Sequence, residues 1–239
     1  DVFLDHVIGG KGLSRGPRFR KLVRAVTPEA VLTGVGRLAT LLADDAAGSV
    51  LVVDVGGATT DVYSAVSAPA EREEHAVALP PDRRTVEGDI GMRWSAPGVV
   101  TEAAAERLLA DREDLTEAAG HRATHVDFVP TDDHEAAVDA RLAALAAVLA
   151  LRRHLRMVDG RLGSKGAGLL VLSGGVFRHA DRAVLAGIEA TLRADPVLRP
   201  VLRHAEIVVD DRYILAPAGL LADAGHPDTA DALLSRSFS

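Results

Sequence analysis

The stretch LVVDVGGATTDVYSA, Leu51 to Ala65, decides how this chain is read. An apolar run reaches Asp54 and a glycine pair, passes two threonines and then resumes. SVLVVDVGG, Ser49 to Gly57, has the continuous apolar character of a strand buried on both faces, and TTDVYSAV, Thr59 to Val66, reads as its partner. So few residues separate them that they form a hairpin. Its tip is either an ordinary turn, in which Asp and Gly serve turn geometry, or half of a phosphate site. In the second case Gly56 and Gly57 bring the backbone close to a ligand and aim N–H groups at anionic oxygens, with Thr59 and Thr60 adding hydroxyl donors. Asp54 alone repels a phosphate. It becomes apt if a hydrated Mg²⁺ lies between them, because that ion keeps its waters while bridging carboxylates to phosphate oxygens. Asp61 either joins the water shell of such an ion or bonds the turn.

Further along, LLVLSGGVFRH, Leu169 to His179, is a second buried strand running into glycines, followed by the helical ADRAVLAGIEATLRAD. Gly174 and Gly175 can let a planar base or a ribose lie on the backbone, and the next helix offers a positive N-terminus. A plain strand-to-helix turn accounts for the same residues. RTVEGDIGMRWSA, Arg84 to Ala96, sets Glu87 and Asp89 around Gly88 at another strand-to-helix junction. These acids either serve the site, or Asp89 caps the helix.

Before the hairpin, TPEAVLTGVGRLATLLADDA has the marks of a helix start: Thr27 as N-cap, Pro28 at the first helical position and Glu29 in the first turn. Val31, Leu32, Val35, Leu38 and Leu42 then bury one face. Gly34 and Gly36 each cost up to about 1 kcal/mol relative to Ala, which points to close packing against another backbone. EHAVALP and RRTVEGDIG are short strand candidates. From Thr101 to Gly160 the chain is Ala-rich and helical, with Val138, Leu142, Leu145, Leu149 and Leu155 on one side of a long helix starting near TDDHE. This reads as an inserted helical lobe. AEIVVDD, Ala205 to Asp211, is the last strand and leads through RYILAPAGLLADAG into a short helix. Hairpin-linked strands followed by alternating helices and strands describe a mixed sheet with helices packed on it.

The 239 residues, 48% of them hydrophobic, suffice for one large domain or a domain with an inserted lobe. A net charge of −7 with the two signs interspersed leaves no footprint for nucleic acid or an anionic membrane. No cysteine is present, so a disulfide framework and a thiolate metal site are both excluded. No segment approaches 18 uninterrupted apolar residues, and a cytoplasmic location is expected. The start at Asp1, without methionine, reads as a fragment or processed piece. His121 and His125 have metal-like spacing without an acidic or thiol partner and read as an exposed helical pair. His134 lies in TDDHE, where Asp132 or Asp133 caps a helix.

In order, a small-residue helix, the DVGGATTD hairpin, a helical insertion, LSGG and a strand into PAGLLADAG resemble the second half of an actin-like ATPase, the group of actin, sugar kinases and heat-shock chaperones. More narrowly, DVGGATTDVYS, RTVEGDIGMRWSA and LSGGVFRH together resemble the glutamate mutase MutL-type proteins, over most of the chain. The implied fold is α/β, a ribonuclease H-like lobe whose five-stranded mixed sheet is flanked by helices, with a helical insertion at about 97–160. The implied activity is that of a chaperone that reactivates an adenosylcobalamin-dependent aminomutase by using ATP to exchange damaged cobalamin. Under that resemblance Asp54 holds Mg²⁺ through water or positions the attacking water. Gly56, Gly57, Ala58, Thr59, Thr60 and Asp61 surround the phosphates, Glu87, Gly88 and Asp89 line the site, and Ser173, Gly174, Gly175 and Val176 take the adenosine. Ala58 stands where the heat-shock pattern has glycine, a mild change unless the position needs positive φ. The helices carrying Gly34/Gly36 and Ala218/Gly219 are the pair that packs at the hinge. The group's first phosphate motif, a DxGST-like turn, is not found in these residues, so an N-terminal lobe is expected as a partner. A non-catalytic scaffold and a small-molecule kinase remain alternative readings. A radical-enzyme activator would bring cluster cysteines.

Overall fold

The computed structural model describes residues 27–42, 49–66, 82–110, 114–158, 162 and 166–238. The strand candidate EHAVALP, residues 74–80, lies outside them. Five strands form one sheet: β1 (Ser49–Val55), β2 (Thr60–Val66), β3 (Asp82–Glu87), β4 (Ala167–Ser173) and β5 (Glu206–Val209), in the order β3-β2-β1-β4-β5. β1, β2 and β3 run as an antiparallel meander, while β4 and β5 are parallel to β1. This is the mixed α/β sheet expected from the sequence. Its register places Asp54 opposite Asp61 on one side and Ser173 on the other.

β1 is buried on both faces because successive side chains point to opposite sides. Leu51, Val53 and Val55 enter one apolar cluster with Val62, Leu170 and Leu172, whereas Val50 and Val52 enter the other with Tyr63, Ala65, Leu169 and Val171. Each such aliphatic side chain contributes roughly 1.5–3 kcal/mol by leaving water.

The second cluster is closed by α1 (Thr27–Leu41) together with two C-terminal helices, Leu215–Asp223 and Pro227–Phe238. The sequence reading anticipated only one of those two. Bidentate hydrogen bonds from Arg37 to Asp231, 2.8 and 2.7 Å, tie α1 to the last helix. The first cluster is closed by α2 (Ala96–Ala105), α3 (Thr116–Thr124), α4 (Asp133–Met157), the short α5 (Gly175–Arg178) and α6 (Arg182–Ala194). The remaining two helices are α7 (Leu215–Asp223) and α8 (Pro227–Phe238).

Asp132 caps α4 by accepting the Glu135 N–H at 2.9 Å. The one-sided apolar stripe expected for this helix needs correction. Every residue from Leu142 to Leu151 is buried, because alanines at 143, 144, 146, 147 and 150 let neighbours approach the faces between the leucines. α4 packs against β1, β2 and β3 and against α2. It is a covering helix of the sheet, sharing its core.

Candidate functional site

The hairpin tip Gly56–Thr59 lies at the C-terminal end of β1, where the parallel strands of an open sheet present their ligand-binding edge. Across the tip the Gly56 N–H donates to the Thr59 carbonyl at 2.9 Å. The turn is buttressed by the segment after β3. Met92 N–H donates to Gly56 O at 2.9 Å, Arg93 N–H to Gly57 O at 2.7 Å, and the Thr60 hydroxyl to Ile90 O at 3.1 Å. Gly91 makes this approach possible, since a Cβ there would lie 2.5 Å from the Ala58 carbonyl carbon. The carbonyls of the glycines are therefore engaged from behind. Among the described residues, none accepts a hydrogen bond from the N–H of Gly57, Ala58 or Thr59. Three donors without protein acceptors on a tip of small residues make a cradle for anionic oxygens.

Neither Gly56, Gly57 nor Ala58 has positive φ. Alanine at position 58 therefore introduces no backbone strain, and the glycines serve close approach, not an unusual conformation. Thr59 remains at the rim, its hydroxyl 3.4 Å from Asp61. Thr60 turns inward and gives its hydroxyl to Ile90, so it is not at the disposal of a ligand. Asp61 is held by the Arg84 guanidinium of β3 at 2.8 and 2.5 Å.

Asp54 lies at the same sheet edge, two residues before the tip. Burial pushes its carboxyl above the ordinary value, the Ser173 hydroxyl draws it down again, and Asp61 and Asp210 push it up. Asp210, just beyond β5, is raised by burial, while the N–H groups of Ile214 and Leu215 hold it in the opposite direction. Those N–H groups donate to it at 2.8 and 3.3 Å. A partly buried carboxylate with two acidic neighbours and only a hydroxyl partner suits a hydrated divalent cation. The donor set and the open cradle fit a nucleotide's phosphates with such an ion.

Gly174 has φ +125°, and a Cβ there would meet the Val55 carbonyl oxygen at 2.4 Å. Only glycine can make this crossing of β4 past the end of β1. Gly175 is different: it has ordinary φ, and no atom lies within 4 Å of where its Cβ would be. Val176 is half-buried against the first cluster. The expected helix ADRAVLAGIEATLRAD forms as α6, but the four-residue α5 stands between it and the glycine pair.

Glu87 lies opposite Thr60 at the end of β3, and both Glu87 and Asp89 pair with an arginine. Arg153 from α4 donates to Glu87 at 2.7 Å, to Asp89 at 3.0 and 3.1 Å, and to Glu102 at 2.6 Å. Asp89 does not cap α2, whose N-cap is Ser95. The backbone of Asp89 packs instead on Gly98, where a Cβ would lie 2.0 Å from its carbonyl oxygen. Gly88 is exposed, and Ser95 donates to its carbonyl at 3.3 Å. His121 and His125 stack on each other with centroids 4.4 Å apart, and no group of three metal-ligating side chains occurs among the described residues.

The sequence reading missed the buttress Ile90–Arg93. Its signal was Gly91, the second glycine in RTVEGDIGMRW. It also missed Trp94, which is 63% exposed although its ring lies 3.2 Å from the Cβ position of Gly57.

With this geometry in view, comparison with known proteins is informative. The family model described as MutL protein matches residues 1–238. The chain belongs to the MutL family. It is 30% identical to "Protein MutL" of Clostridium tetanomorphum over 98% of its own length and 55% of that protein. The MutL-family chain thus spans about half the length of that curated relative. A solved structure titled "PilM-PilN type IV pilus biogenesis complex" aligns with 90% of this chain and 52% of that chain, at 18% identity and a TM-score of 0.35. Among the described residues no helix of this MutL-family chain is long and apolar enough to cross a membrane.

Proposed function

We propose that this MutL-family chain is the ATP-binding portion of a cytoplasmic actin-like ATPase that reactivates an adenosylcobalamin-dependent aminomutase such as glutamate mutase. The observation that carries the nucleotide part is the trio of N–H groups at Gly57, Ala58 and Thr59 that lack acceptors beside the Asp54 carboxylate. In this reading the trio and the Thr59 hydroxyl bind the β- and γ-phosphates, and Asp54 orients waters of a Mg²⁺ ion. Ser173 holds the Asp54 carboxylate in place, and Gly174 and Gly175 carry the adenosine. The ion supplies charge neutralisation when bound. Hydrolysis is assigned to the complete protein, in which a second, N-terminal lobe closes on this one. The mutase as partner rests on the family alone.

The test is titration calorimetry of ATP with Mg²⁺ into the chain, beside Asp54→Ala. Saturable binding that the variant loses supports the reading. No heat at millimolar nucleotide removes the phosphate site and leaves a scaffold role. For the partner, the full-length protein should restore turnover to an inactivated adenosylcobalamin-dependent mutase only when ATP is supplied.

A further inference from the structure

Arg93 faces two ways. Its backbone N–H donates to Gly57 O at the hairpin tip, while its guanidinium turns to the helical layer. There Nε and Nη2 donate to the Phe128 carbonyl at 3.2 and 2.9 Å, Nη2 also donates to Asp139 at 2.9 Å, and Nη1 returns to the Met92 carbonyl at 2.7 Å. The anchors are themselves fixed. Asp139 is held through its other oxygen by the fully buried Arg122, whose guanidinium lies 5.1 Å from the Phe128 ring centroid. Phe128 N–H donates to His125 O at the end of α3. The Arg93 side chain thus joins the tip of the sheet to the turn between α3 and α4.

Peptide geometry carries that anchoring to the tip. In a trans peptide the carbonyl of one residue and the N–H of the next point in opposite directions. Met92 N–H holds Gly56 O and Arg93 N–H holds Gly57 O, so the N–H groups of Gly57 and Ala58 are aimed away from the buttress. That is the side on which, among the described residues, none accepts them. Turning either peptide plane requires Met92 and Arg93 to move, and the four guanidinium bonds oppose it. A Cβ at Gly57 would stand 3.2 Å from the Trp94 ring and 3.7 Å from the Arg93 Cβ, which leaves little slack between turn and buttress.

We propose that Arg93 is the positioning residue of the phosphate turn, and that the turn between α3 and α4 thereby regulates how squarely the Gly57 and Ala58 N–H groups face an anionic ligand. This rests on the nucleotide reading above. The bridge requires a planar fork that serves a carbonyl and a carboxylate together, whereas a lysine supplies the same charge at a single point.

The test applies two readouts to the 239-residue chain. Calorimetry measures the affinity for ATP and for inorganic tripolyphosphate, each with Mg²⁺. Trp94 is the single tryptophan and stands exposed beside Gly57, so its emission and its quenching by acrylamide report the tip before any ligand is added. Arg93→Gln removes the fork and Arg93→Lys keeps the charge. Asp139 retains Arg122 in both, so no buried carboxylate is stranded and the fold is kept. Both variants should weaken both ligands by about tenfold, and both should shift the Trp94 signal of the unliganded chain. Full affinity in Arg93→Lys overturns the proposal, because charge alone would then suffice. Lost affinity with an unmoved Trp94 signal overturns it too, since the tip would stand where it did. Unchanged affinity in both variants overturns it and leaves the phosphate site standing. If the unmodified chain binds neither ligand, the nucleotide reading fails and the role of Arg93 with it.

Discussion

Gly34 and Gly36 lie two residues apart on α1, yet alanine should act on them in opposite directions. A Cβ at Gly34 would stand 2.2 Å from the Leu215 carbonyl oxygen of α7, and one at Gly219 would stand 1.8 Å from the Ala30 carbonyl oxygen of α1. No atom lies within 4 Å of the Cβ position at Gly36. The close-packing expectation therefore holds for Gly34 and is corrected for Gly36, which faces open space. Alanine gains up to about 1 kcal/mol of helix propensity at any of these positions. At Gly36 nothing opposes that gain, and Gly36→Ala should raise the midpoint of thermal unfolding by about 2–4 °C. At Gly34 and Gly219 the obstacle is backbone, which cannot rotate away, so the helices must part by roughly 1–1.5 Å. Overpacking of this kind costs about 1–3 kcal/mol and exceeds the propensity gain. A net loss of about 2 kcal/mol is expected for Gly219→Ala, read as a lower urea midpoint at constant slope. The double variant Gly34→Ala/Gly219→Ala should lose less than the sum, since the first substitution opens the space that the second requires. Gly34→Ala as stable as the unmodified chain, or Gly36→Ala as damaging as Gly34→Ala, would refute the argument.

His154 is fully buried, with Nδ1 at 2.9 Å from the Thr85 hydroxyl and Nε2 at 2.9 Å from the Ser64 hydroxyl. Burial, with a smaller contribution from Arg83, pushes it down to about 4. The unfolded chain binds a proton near pH 6.5 and the fold resists it, so stability is intact above that pH and falls as pH drops towards 4, by about 3 kcal/mol in all. Denaturant midpoints between pH 7 and 4.5 check this, and His154→Gln should flatten the slope. Arg122, also fully buried, pairs with Asp139 at 2.5 Å and with Glu135 at 2.8 Å, and Asp139 takes Arg93 as well at 2.9 Å. Asp139→Asn should destabilise by about 2–3 kcal/mol because it removes the buried carboxylate shared by Arg122 and Arg93 and leaves Arg122 only the partly exposed Glu135 as a counter-charge, whereas Glu135→Gln should cost less than about 1 kcal/mol by urea titration.

Much of this arrangement was legible in the sequence because it is local. β1 and β4 are apolar runs ended by glycines, β2 resumes after the first glycine pair, and a hairpin with so short a tip has only one pairing available. Asp132 announces α4 by its place before an Ala-rich helix. Other features arise from residues distant in the chain. Nothing beside Gly88 in the sequence shows that Glu87 and Asp89 share Arg153 of α4, more than sixty positions away. The Thr60 hydroxyl looks free until Ile90 O is folded under it. Gly34 and Gly36 are equivalent in the sequence, and only the crossing with α7 separates them. Tyr213 gives no local sign of its left-handed backbone, since the hydrogen bonds that hold it there come from Asp210 and from the end of β4.

The helix crossing and the candidate site meet at one residue. Leu215 lays its carbonyl over Gly34, and its N–H donates to Asp210 at 3.3 Å. Asp210 in turn joins its backbone to Leu172 and contributes to the raised state of Asp54. The depth at which α7 seats on α1 therefore fixes where the Asp210 loop stands relative to the strand ends. Small residues at 34 and 219 are what allow the first turn of α7 to sit close enough for Asp210 to cap it. A side chain added at either glycine displaces that turn, and the displacement reaches Asp210, Tyr213 and the neighbourhood of Asp54 before it reaches the sheet. The close crossing of α1 and α7 is thus part of how the site is built as well as how the lobe is held together.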